Sequence, residues 1–147
     1  GMAPPLSYAY GDGKTDVCRK LERYAHRFFA IAPLVIYALT YFLAPAGVSC
    51  FANTASPVFP IAVSGMRIYG LGFLFSEINI FAAVRMMAYG KGYFSGLITF
   101  LRSFALLLLF LTVLPQKFGL TGVWLAVPAA EVLTLFVAVW FLRPMQR

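Results

Sequence analysis

Three charged side chains, Glu77, Arg102 and Glu131, stand inside stretches that are otherwise apolar enough to cross a bilayer. A charge at membrane depth costs several kcal/mol and marks either a polar interior or a transport path. A carboxylate there can carry a proton or hold a cation, and an arginine can pair with a carboxylate and fix helix register. Ser76 and Asn79 flank Glu77 and supply hydroxyl and amide oxygens, donors that suit a hard cation or a proton. Glu77, Ser76 and Asn79 are therefore the candidate ion or substrate pathway. Arg102 and Glu131 are the candidate intramembrane ion pair.

Hairpin counting places these groups in depth. With a turn near Lys117, Arg102 lies 15 residues before it and Glu131 lies 14 after it. At about 1.5 Å per residue both sit about 21–22 Å from that turn. Glu77 lies 14 residues before Lys91 and Arg102 lies 11 after it, a difference of about one helical turn. Arg102 can thus bridge either carboxylate, or both. Pro128 removes a backbone hydrogen bond to Trp124 and predicts a kink one turn before Glu131. Pro33, early in its span, is cheap. Gly92 and Gly96 have small-xxx-small spacing but read as a turn at a helix start. Met66, Met86, Met87 and the fifteen phenylalanines read as packing or lipid-facing groups rather than a drug-binding cage.

The elements that must position these residues follow from composition. The 147 residues are 61% hydrophobic and 12% charged, against about 45–50% and about 25% in a soluble domain. The mean hydropathy is +0.82. Phe28 to Met66 is a window of 39 residues with no charge, and a membrane helix needs about 20. The chain reads as an all-α integral membrane protein with four transmembrane helices. The spans are about 28–46, 64–87, 94–114 and 120–142, preceded by a segment, 1–27, that holds an amphipathic helix over Asp12–Arg27. Pro45-Ala-Gly47, Ser56-Pro57, Tyr89 to Gly92 and Pro115 to Gly119 punctuate the connections.

Charge sets orientation. Lys14, Arg19, Lys20, Arg23, Arg27, Arg85, Lys91, Arg143 and Arg147 make nine cations on one side, and Arg67 and Lys117 make two on the other. Positively charged flanks stay cytoplasmic, which puts both termini there. In the amphipathic stretch, Tyr24, Phe28 and Ile31 would face lipid while Arg19, Arg23 and Arg27 face headgroups. This stretch reads either as a solvated basic flank or as a lipid site.

Other classes are excluded. Two cysteines, Cys18 and Cys50, and a single histidine, His26, build no disulfide scaffold, thiolate metal site or zinc pair. The net charge of +7 follows membrane topology rather than a nucleic-acid stripe. No nucleophile, base and orienting group converge, so the chain does not read as an enzyme and needs no cofactor. The first 27 residues lack the apolar core of a signal peptide.

Particular strings add a resemblance. Pro5-Leu-Ser-Tyr-Ala-Tyr-Gly11 before a basic helix resembles the "P-x-S-Y-x-Y-G" string that closes a helix in the multidrug and toxic compound extrusion (MATE) family. Ala88-Tyr-Gly-Lys-Gly92 is similar to that family's cytoplasmic turn, and Leu101-Arg102 to its "L-L-R" string. Phe118-Gly-Leu-Thr-Gly-Val-Trp-Leu-Ala-Val-Pro-Ala-Ala-Glu131 resembles its final helix, "G-L-x-G-x-W-x-A-x-P-x-A-E". The resemblance implies a partial C-terminal lobe of a two-lobe transporter: the end of helix 8 and helices 9 to 12, with 1–27 as a cytoplasmic crossover. An N-terminal lobe is then the missing partner, and the chain alone is expected not to transport. The implied function is multidrug efflux in the plasma membrane, exchanging protons or sodium ions for organic, often cationic, compounds. Family members that bind a cation in this lobe use an acid in the helix matching Ser64–Met87, where Glu77 stands. Membrane lipids are the other expected partner, and nucleic acid is not. Two alternatives remain: a lipid-linked oligosaccharide flippase of the same superfamily, and a non-transporting four-span membrane subunit.

Overall fold

The computed structural model describes residues 3–142, and every regular element in that range is helical. In chain order these are α1 (Ala3–Gly11), α2 (Thr15–Ser49), α3 (Val58–Gly70), α4 (Phe73–Ala88), α5 (Gly92–Phe100), a π-helical turn (Leu101–Ala105), α6 (Leu106–Phe118) and α7 (Leu120–Leu142). Four helical stretches are long and apolar enough to cross a membrane: Thr15–Ser49, Val58–Ala88, Gly92–Phe118 and Leu120–Trp140. Most of their large apolar side chains, among them Phe28, Leu34, Phe42, Phe104 and Phe136, lie on the outer surface of the bundle. That arrangement suits a lipid solvent, where burying aliphatic groups between helices brings little advantage.

The third span, expected over 94–114, runs from Gly92 through Pro115 to Phe118, and the first two spans differ from the sequence expectation for reasons of backbone chemistry. The basic stretch after Thr15 and the first span form one continuous helix of 35 residues that passes through Pro33 and Pro45. Pro45 has no N–H for the carbonyl of Tyr41. Arg67 of α3 replaces it, donating from Nε to that oxygen at 3.1 Å while its guanidinium lies 4.5 Å from the Tyr41 ring centre. A donor from the neighbouring helix thus lets the proline stay inside the helix. The second span is longer than 64–87. It begins at Val58, after Ser56 Oγ accepts from the Val58 N–H, and is interrupted at Leu71–Gly72 between α3 and α4.

Small residues set the helix spacing. Ala82, Ala83 and Met86 of α4 close on Ile98 of α5 and Ala138 of α7, with Phe94 packed alongside. Gly65 faces the indole of Trp124, Gly72 faces Val127 and Pro128, and Gly122 faces the Leu114 backbone. Gly92 and Gly96, in contrast, meet nothing, and α5 simply starts at Gly92. Gly90 and Gly119 have φ of 73° and 57° and close the α4–α5 and α6–α7 turns in the left-handed region. α1 docks where α4 ends, through Leu6, Ala9, Cys18 and Ala88.

Candidate functional site

The buried charged group at the centre of the polar cluster is Glu131 on α7, one turn after Pro128. Its carboxylate is taken from two directions. Arg102, on the π-helical turn, donates from Nη2 at 2.6 Å and from Nε at 3.1 Å, both to Oε1. Asn79, on α4, donates from Nδ2 to Oε2 at 2.7 Å and to the Glu131 main-chain oxygen at 2.8 Å. The side chains of Arg102 and Glu131 are 18% and 7% exposed, and Asn79 is wholly buried. Charge-assisted bonds of this length, with both carboxylate oxygens engaged, are what a buried ion pair needs to offset its desolvation. Asn79 Oδ1 is buried and has no hydrogen-bond partner among the described residues. Below Glu131, Thr134 is fully buried and returns its hydroxyl to the Ala130 carbonyl at 2.7 Å.

The backbone explains why these three meet. A π turn lets one residue more than an α turn share the same length of helix, and such bulges concentrate at functional sites. Leu101–Ala105 is that turn, and it carries Arg102 toward α7. α7 continues as helix through Pro128 to Leu142.

Sequence reasoning grouped Asn79 with Ser76 and Glu77, and the structure separates them. Asn79 turns to Glu131. Ser76 Oγ donates to its own helix, at the Phe73 carbonyl, 3.4 Å away. Glu77 is half-buried and has no hydrogen bond or ion pair among the described residues. Of the two carboxylates open to Arg102 by counting, it is Glu131 that holds it.

A second polar cluster, absent from the sequence reading, joins α2 to the end of α4. Glu22 Oε1 accepts from Arg85 Nε at 2.5 Å and from the Tyr89 hydroxyl at 2.7 Å. The Arg85 guanidinium also sits 5.6 Å from the Tyr89 ring centre, and Tyr10 of α1 meets that ring edge-on at 4.6 Å. Burial, with the Glu22 carboxylate next in weight, pushes the Tyr89 hydroxyl up from 10.0 to about 12. Arg85 reads in sequence as a topology cation only. The signal that would have found its partner is the helical face of Glu22, which it shares with Ala25, Phe29 and Pro33, residues that pack inward.

No family model matches the chain, and neither a curated protein nor a solved structure does. Among the described residues no group of three or more His, Cys, Asp or Glu is placed to hold a metal.

Proposed function

We propose that the chain forms a four-span part of a secondary active multidrug efflux antiporter, in which an inward-moving proton or sodium ion drives an organic, often cationic, compound outward. The observation that carries this reading is Glu77, a half-buried carboxylate in a membrane-spanning helix with no ion pair or hydrogen bond among the described residues. A carboxylate at that depth is costly as a bare anion, and taking up a proton or a cation relieves the cost. Glu131 is its counterpart. Held by Arg102 and Asn79, it fixes the helices against which a loading site can work. The final-helix string ending at Glu131 and the string ending at Gly11 support the family assignment. The nine-to-two division of cations supports cytoplasmic termini in a plasma-membrane protein. A second lobe completes the alternating-access unit.

The test is gradient-driven extrusion of a fluorescent organic cation from vesicles carrying the full gene product, under an imposed proton or sodium gradient. Glu77→Gln is expected to abolish most of the gradient-driven rate at equal protein in the membrane, because an amide neither takes up a proton nor carries the charge that holds a cation. An unchanged rate removes Glu77 from the coupling role. No gradient-dependent transport by the parent protein removes the antiporter reading.

A further inference from the structure

We propose that the outer face of α2 is a binding site for one anionic phospholipid, with its phosphate on Arg23 and Arg27 and an acyl chain in the groove below them. The site follows from how the helix divides its faces. Ala25, Phe29 and Pro33 turn toward the bundle, while Arg23, Arg27, Ile31 and Val35 repeat every fourth residue about half a turn away and are all exposed. Arg19 extends the same row by one turn. The row is therefore three guanidiniums followed, along one line, by two aliphatic side chains.

Two observations make this more than a charged flank. The first is electrostatic. Like charges four residues apart on a helix repel, and Glu22, three residues after Arg19, turns to the bundle side of the helix and is held there by Arg85 and Tyr89. Asp12 pairs with Lys14, and Asp16 pairs with nothing among the described residues. Arg19, Lys20, Arg23 and Arg27 are exposed and without an ion pair among the described residues. No acid of the described residues is paired with this row, which leaves it for an anion from outside.

The second observation is shape. Directly after the last arginine, Arg27, Phe28, Ile31, Ala32, Val35 and Ile36 line an apolar groove of about 390 Å³. Ala32 is its floor, where a small side chain leaves room, and Phe28 is one wall, 63% exposed. Cation above, hydrocarbon slot below, on a helix that runs from the basic end of the bundle into its apolar part, matches an amphiphile with an anionic head. A soluble anion has no use for the slot, and a zwitterionic lipid gives the arginines no net charge. This inference stands apart from the transport reading.

The experiment places the chain in phosphatidylcholine vesicles with a trace of spin-labelled phosphatidylglycerol or spin-labelled phosphatidylcholine, and reads the motionally restricted fraction. A preference of roughly twenty-fivefold for phosphatidylglycerol is expected, since each of the two arginines contributes about fivefold. Arg23→Gln with Arg27→Gln brings it close to one. Arg23→Lys with Arg27→Lys keeps most of it and controls for folding. Ala32→Trp fills the slot, leaves every cation in place and also abolishes the preference. Equal association of the two lipids with the parent chain overturns the proposal. A preference that survives Ala32→Trp overturns it in favour of a diffuse basic surface. Absence of spin–spin broadening between either lipid and a nitroxide placed at Val35 overturns it in favour of a protein cover on this face.

Discussion

Asn79 gives one amide nitrogen to two oxygens of Glu131, the carboxylate and the main-chain carbonyl, across 52 positions of sequence. The consequence is that α4 is tied to the backbone of α7 as well as to its side chain. Neither helix can slide by a turn without breaking both bonds, and Arg102 closes the arrangement from the third span.

The Arg102–Glu131 pair is expected to behave as a unit. Arg102→Ala leaves a buried carboxylate facing Asn79 alone, and Glu131→Ala leaves a buried guanidinium, each costing about 3–5 kcal/mol. The double variant is expected to be no less stable than either single one, because the second deletion removes the stranded charge. Unfolding in mixed micelles with a denaturing detergent measures this cycle. Strictly additive losses would dissolve the pairing.

Arg67 and Pro45 should couple through the Tyr41 carbonyl. Arg67→Met strands that oxygen inside an apolar helix and is expected to cost about 1–3 kcal/mol. In a Pro45→Ala background residue 45 supplies its own N–H, so the same change should cost much less. An equal penalty in both backgrounds would mean that Arg67 acts only through the Tyr41 ring.

Gly65 leaves no room for a side chain beneath Trp124. Gly65→Ala forces the indole to move, an overpacking of about 1–3 kcal/mol. Trp124→Phe, introduced into that variant, is expected to recover part of the loss. A neutral Gly65→Ala would mean that α3 and α7 leave room for a methyl group between Gly65 and the Trp124 indole.

Tyr89 is expected to titrate near 12, read as the part of the phenolate absorbance change with pH that Tyr89→Phe removes. Glu22→Gln should bring it part of the way back toward 10.0, leaving the larger contribution of burial. The sign of the stability effect follows from linkage. Because the folded-state value is raised, the contribution is complete below the unfolded value near 10.0 and is lost as pH rises through about 12. Thermal unfolding of the parent chain should therefore weaken between those values more than that of Tyr89→Phe.

Much of the architecture can be read from the residues. Uncharged length and turn residues give four apolar helices in order, and α7 begins at Leu120 as its hydropathy indicates and is helical to Leu142, the last described residue. Hairpin counting put Arg102 and Glu131 at one depth, and they lie in hydrogen-bonding contact. The same count, applied to Asn79, gives 12 residues before Lys91 against 11 after it for Arg102. That match is closer than the one for Glu77, so the third member of the cluster was also within reach. What the sequence hides are relations that no period encodes. Pro45 looks like a helix end until Arg67 arrives from another helix to supply its missing donor. Glu22 looks like one more charge in a basic stretch until Arg85 and Tyr89 come to it from 63 and 67 positions away.

The π-helical turn has a consequence for how the third span divides its work. α5, before the turn, packs against α4, and α6, after it, lies along α7. A continuous α-helix presents one unbroken stripe to one neighbour, and its contacts rotate only slowly along its length. The additional residue at Leu101–Ala105 offsets the two halves abruptly, so that one membrane crossing serves two different partners. Arg102 stands at the changeover. The span is in effect a splice between two helical surfaces, and its one charge away from the ends, Arg102, is placed where the seam would otherwise be least constrained.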